Sequence, residues 1–249
     1  MAEGRLIQHH GEAIVLRTWP FHEADLLVSL FTREQGKVKG VARHAMRSRR
    51  RFGGALEPAT HVRASYAERP KQDLARLDAF EIVWSPLTGP VDYLRTAGLQ
   101  LVVEVLEEAM PDGAPEDAVF RLALTVLAAM QEGRVWLPVT YFCLWMNRLM
   151  GWMPELGHCA VCGLDLRGET VWWSAMGDGV TCYDDRRTGS LGLSAASVVE
   201  GLAMFRSPLG ALAEGEWPAV RAADLRAFAV GTLERHLERR LMSARVLGR

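Results

Sequence analysis

Leu26-Leu27-Val28-Ser29-Leu30-Phe31-Thr32, then Arg33-Glu34-Gln35-Gly36, then Lys37-Val38-Lys39-Gly40-Val41-Ala42-Arg43 is the stretch on which the fold turns. Successive side chains of a strand point to opposite faces. Leu26, Val28 and Leu30 therefore share one face, and Leu27, Ser29 and Phe31 the other. The polar tetrad between the two runs ends in glycine, as a hairpin needing positive φ requires. Outward from this hairpin, Glu12 to Thr18, His61 to Ala67 and Leu74 to Val83 read as three more strands. Five short strands, with one long basic connection between the third and fourth, fit a small Greek-key barrel such as the OB-fold. An SH3-like barrel gives the same pattern.

Pro86, Gly89 and Pro90 break the alternation and mark a boundary. Beyond them the apolar period becomes helical, with Leu94, Ala97, Leu101, Val105 and Ala109 on one face of Asp92 to Met110. Glu116 to Gln131 is a second helix. Val139 to Met150 is apolar almost all round, as a central buried helix is, with Gly151 as its C-cap. Ser194 caps a helix running to about Phe205. Asp224 to Arg245 reads as one final helix with its arginines gathered towards the C-terminal end. The fold class is α+β: an N-terminal barrel (1–84), a helical domain in two parts (85–152 and 192–249), and a Gly-, Trp- and Cys-rich insertion (153–191).

The 249 residues are 49% hydrophobic and 24% charged, ordinary for a soluble globular protein, and carry a net charge of −1. That balance hides an asymmetry. Up to Asp78 there are 14 Lys and Arg against 9 Asp and Glu; beyond it, 15 against 21. A basic front half implies an anionic partner for that half alone. No apolar run reaches membrane-spanning length and Met1 to Gly11 lacks a secretory core, so the expected location is cytoplasmic.

The insertion holds a C-x2-C-x19-C-x2-D layout: Cys159, Cys162, Cys182 and Asp185. Two close pairs at such a separation suit a zinc ribbon, because each tight turn brings two ligands to one side of a tetrahedral ion. His158 competes for the fourth position. Asp185 is favoured, since neighbours in sequence share a metal only with an awkward backbone. Four ligands imply a closed, structural site rather than a catalytic one. Cys143, on the apolar helix, reads as core.

Alternation along the third strand puts Lys37, Lys39, Val41 and Arg43 on one face. Arg47, Arg49, Arg50 and Arg51 follow in a continuous loop, and Arg17 lies on the first strand. OB-type barrels bind oligonucleotides on the face of strands 2 and 3 and the adjoining loops. These eight cations are thus the candidate nucleic-acid contacts, with Trp19, Phe21 and Phe52 as nearby aromatics.

Glu12-Ala13-Ile14-Val15-Leu16-Arg17, Phe31-Thr32-Arg33-Glu34-Gln35-Gly36-Lys37 and Arg51-Phe52-Gly53-Gly54-Ala55-Leu56-Glu57-Pro58 resemble the N-terminal barrel of the bacterial RecO family. Leu149-Met150-Gly151-Trp152-Met153-Pro154-Glu155-Leu156, leading into Cys159-Ala160-Val161-Cys162-Gly163, is similar to that family's helix-to-zinc junction. The resemblance spans essentially the whole chain. It implies an OB-fold and a helical domain with a zinc-binding insertion. It also implies a recombination mediator that binds single- and double-stranded DNA and anneals complementary strands. Such a mediator works with RecR to load RecA onto DNA covered by single-strand-binding protein. Relatives often have cysteine where this chain has Asp185.

No Walker A loop and no G-x-S-x-G elbow is present, so the expectation is a protein without catalysis. Two rival readings remain. A zinc hydrolase or deaminase acting on nucleic acid would use His10-Gly11-Glu12 and an open metal position. A protein-interaction scaffold would use the helical domain.

Overall fold

The computed structural model describes residues 6–48, 50–89, 92–212 and 216–248. The chain forms two compact units, Met1–Leu127 and Ala128–Arg249.

In the first unit, β1 (Ile7–Pro20), β2 (Leu26–Thr32), β3 (Gly36–Ala42), β4 (His61–Glu68) and β5 (Ala75–Trp84) close into a barrel of order β1-β2-β3-β5-β4. All neighbours are antiparallel except β3 and β5, where the barrel closes. The hairpin between β2 and β3 turns on Gly36 at φ +67°, and a side chain there would collide with the backbone of Ala114. Val15, Val28, Leu30, Val38, Val62, Leu77 and Phe80 fill the interior. β1 is longer than its apolar run because Ile7 to Glu12 pairs with β4, a polar stretch held by ladder bonds rather than burial.

Two helices, α1 (Tyr93–Ala109) and α2 (Asp117–Gln131), follow the barrel. Asp92 caps α1, its carboxylate accepting from the Arg95 N–H at 2.6 Å. α1 packs on β1 and β2. Phe31, fully buried and pointing away from the barrel interior, meets Phe120 of α2 with ring centroids 5.8 Å apart.

The second unit contains α3 (Trp136–Leu149), a β6–β7 ribbon (Val171–Trp173 and Leu191–Leu193), α4 (Ala195–Met204), a single turn α5 (Leu209–Leu212), α6 (Ala223–His236) and α7 (Met242–Val246). α3 is buried over most of its surface, as its sequence demands, and packs against α6. The Asn147 amide, fully buried between them, donates to the carbonyls of Cys143 and Ala229, both at 2.8 Å. Ser194 caps α4 as expected, and Asp224 ties that cap to the start of α6 by accepting from the Ser194 N–H at 2.9 Å.

The final helix departs from expectation. It is not continuous from Asp224 to Arg245 but breaks after His236, with Glu238 at φ +53°. The buried carboxylate of Glu234 accepts from the Leu241 N–H at 2.9 Å and from Arg240 at 3.0 Å. These bonds replace the helical ladder over the break, so no proline or glycine is needed to end the helix. Among the described residues no helix is long and apolar enough to cross a membrane.

A basic loop on the barrel and a thiol cluster in the second unit

The connection from β3 to β4 is anchored at both ends. The His44 N–H donates to Asp25 Oδ1 at 2.7 Å, and the Met46 N–H donates to the Ala24 carbonyl at 3.2 Å. Further on, the Phe80 N–H donates to the Arg51 carbonyl at 2.9 Å. Phe52, Ala55 and Leu56 then drop into the barrel interior, Phe52 edge-on to Phe80 at 5.5 Å. This apolar plug holds the loop in place and leaves Arg43, Arg47 and Arg50 exposed. Arg51 is half-buried. Its guanidinium donates to the Arg43 carbonyl at 2.5 Å and lies 5.2 Å from the Phe52 ring. Arg17 is exposed, 5.1 Å from the ring of half-buried Trp19. Arg49 lies outside the described residues. Phe52 is therefore core and not a stacking platform, whereas Phe21 is exposed.

The outward face of β2 and β3 is a different matter. Alternation places Lys37 and Lys39 outward, as read from the sequence. Yet Lys37 Nζ donates to the Glu107 carbonyl at 2.7 Å and lies 3.4 Å from Asp112, its side chain only 11% exposed. Ser29, fully buried, donates to Glu107 Oε2 at 2.5 Å. Helices α1 and α2 thus cover much of this face, and Lys37 leaves the set of available cations. Lys39 is half-buried beside it. An outward row that sequence reading passed over, Arg63 and Ser65 on β4, is open instead. The period-two pattern of His61 to Glu68 carried that signal.

Glu12 is engaged as well. Its carboxylate accepts from Arg33 at 3.0 Å and lies 3.3 Å from His61 Nε2, while Arg33 also reaches Asp117 at 2.7 Å. Burial pushes the His61 pKa down, with Glu12 opposing in part. The Glu12 carboxylate thus joins the barrel to Arg33, which in turn reaches Asp117.

In the second unit, Cys159, Cys162, Cys182 and Asp185 converge, their ligand atoms all within 4.8 Å of one another. Cys162 and Cys182 sulfurs are 3.9 Å apart, close to the roughly 3.8 Å edge of a tetrahedron with metal–sulfur bonds of about 2.3 Å. Asp185 Oδ2 is 3.2 Å from both Cys159 and Cys182 sulfurs. The turn closes when the Gly163 N–H donates to the Cys159 carbonyl at 2.9 Å, and Trp172 and Thr181 exchange two backbone bonds that steady the Cys182 arm. Beside Asp185, the Cys162 thiol is pushed up to about 12. Burial opposes the Cys159 thiolate, but backbone N–H groups outweigh it and bring that thiol below its usual value. Four groups that all ionise in so small a space need a cation to do so together. The donor set fits a thiolate-binding divalent ion. His158 is not part of this cluster; its ring lies 3.2 Å from Glu155. Cys143 is fully buried, its thiol pushed up to about 12 by desolvation.

A five-stranded barrel carrying a clamped arginine loop and a helical unit with a converging thiol cluster place the chain among two-unit α+β proteins, and comparison with known proteins narrows the class. The family described as Recombination protein O N terminal matches residues 6–86, and Recombination protein O C terminal matches residues 90–245. A DNA repair protein RecO of Koribacter versatilis is 51% identical over 95% of this chain and 97% of its own length. DNA repair protein RecO of Anaeromyxobacter sp. (strain K) is 34% identical over 94% and 93%, and that of Geobacter metallireducens 35% over 76% and 77%. The chain belongs to the RecO family. Its role is in DNA repair and recombination, as the matched family and the relatives named for DNA repair support.

Proposed function

We propose that this chain is a DNA-binding recombination mediator that holds single- and double-stranded DNA through the barrel and anneals complementary strands. In the same reading it acts with RecR to load RecA onto DNA covered by single-strand-binding protein, in the cytoplasm at the nucleoid. The observation that carries the DNA contact is the clamped loop of Arg43, Arg47 and Arg50, three exposed guanidinium groups held by an apolar plug. Guanidinium groups suit phosphate because their planar forks donate paired hydrogen bonds. Arg17, Lys39, Arg49 and Arg51 complete the proposed surface. The strand order β1-β2-β3-β5-β4 supports reading the barrel as an OB-fold. We also propose 1–84, 85–152, 153–191 and 192–249 as the functional segments.

Zinc is the proposed ion of Cys159, Cys162, Cys182 and Asp185, bound as a structural staple. A closed set of four protein ligands leaves no position for substrate water. Glu12, which a deaminase-like reaction would need as its base, is engaged by Arg33 and His61, which counts against the hydrolytic reading. The test is a DNA-binding and strand-annealing assay on purified protein across a salt series, with and without a chelator. Salt-sensitive binding that weakens when Arg43, Arg47 and Arg50 are replaced by alanine supports the reading. Binding that is insensitive to salt, or unchanged in that variant, overturns the assigned surface.

A further inference from the structure

With the β2–β3 face covered by helices, the open sheet of the barrel lies on its other side. There a trough of about 510 Å³ runs over β1, β4 and β5. Two rungs on the same face form it: His10, Ser65 and Ala79 in register, then Glu12, Arg63 and Glu81. Between these longer side chains, Ser65 and Ala79 on the same face are small and leave its floor low. Arg50 and Arg51 line the trough where the basic loop meets the sheet. The trough is thus continuous with the proposed phosphate-binding loop.

We infer that this trough seats a short run of nucleotides from a single DNA strand, bases inward, and excludes duplex. The inference rests on the DNA-binding reading above. Its lining is of mixed charge, and that mixture selects the occupant. Arg50 and Arg63 offer guanidinium groups to phosphates, and the carboxylate-bearing Glu34 also lines the trough. Glu12 is already bound by Arg33 and His61, and Glu81 lies 3.6 Å from Arg63. A nucleotide is anionic at its phosphate, and adenine, cytosine and guanine also donate through exocyclic amino groups, so it matches both the cations and the carboxylates of the lining. The His10 ring, held by Ser65 at 2.9 Å, stands beside the floor as a surface on which an unstacked base can lie. A duplex keeps its bases stacked inside and presents only its backbone, so it engages the loop arginines and not the trough floor.

Ala79→Trp fills the floor from an exposed position, and Ser65→Tyr fills it from the neighbouring strand. Fluorescence anisotropy on the full chain, with a labelled single-stranded oligonucleotide and a duplex of equal length, reads the outcome. We expect each filled variant to lose about tenfold in single-strand affinity while duplex binding stays at the parent value. A variant that melts early is read through the other. Parent-like single-strand binding in both variants, or equal loss on both DNA forms, overturns the trough and leaves the loop reading intact. Failure of the parent chain to bind either DNA form at low salt removes the DNA-binding reading itself.

Discussion

The ammonium of Lys37 sits 2.7 Å from the carbonyl of Glu107 in the last turn of α1. The last carbonyls of a helix lack partners within it and carry partial negative charge, so a cation there is favourably placed. A residue that strand alternation offers to a ligand is thereby committed to joining the barrel to α1.

Lys37→Met tests this assignment against its rival. The variant should lose about 1–2 kcal/mol of stability, measured by urea denaturation, while the salt dependence of DNA binding stays at the parent slope. A flatter slope with unchanged stability would return Lys37 to the DNA surface.

Arg47→Ala with Arg50→Ala should do the reverse. Both side chains are exposed, so the denaturation midpoint should hold. On single strands the slope of log K against log salt should fall by about 0.7 for each phosphate that is no longer neutralised. Affinity should weaken similarly across sequences, because phosphate contacts carry no base information.

The thiol cluster should bind one zinc ion per chain, measurable by competition with a chromophoric chelator. Asp185→Ala should weaken the site, and Asp185→Cys should tighten it by adding a thiolate. His158→Ala should leave it unchanged. Stripping the metal should lower the melting temperature, since ion binding and folding share one free energy.

Burial lowers the pKa of His61 in the folded state below its ordinary value of 6.5. The unfolded chain therefore takes up a proton first as pH falls. The contribution is fully present above about pH 6.5 and is lost as pH falls through the lower folded value. Thermal melts between about pH 7.5 and about pH 5.5 should show stability declining with acid, and the decline should be shallower in His61→Gln.

Phe52→Ala removes the centre of the loop plug. A loss of about 3–5 kcal/mol is expected from the cavity alone. The same variant should also weaken DNA binding, because Arg43, Arg47 and Arg50 lose the support that positions them.

Sequence alone determined the barrel strands, the buried α3, the Ser194 cap and the CxxC arrangement with Cys182 and Asp185. Each is a local pattern: alternation, helical period, capping chemistry or ligand spacing acts over short stretches of chain and can be read one stretch at a time. Tertiary structure alone decided which face of the barrel stays open. Lys37, Ser29 and Phe31 point outward by alternation, yet helices far along the chain, through Glu107 and Phe120, bury that side. It likewise decided the break after His236, where a buried Glu234 takes over hydrogen bonds that helical propensity would have kept in the ladder. Periodicity records which side of an element a residue occupies; what covers that side is set by packing between parts of the chain that no local pattern links.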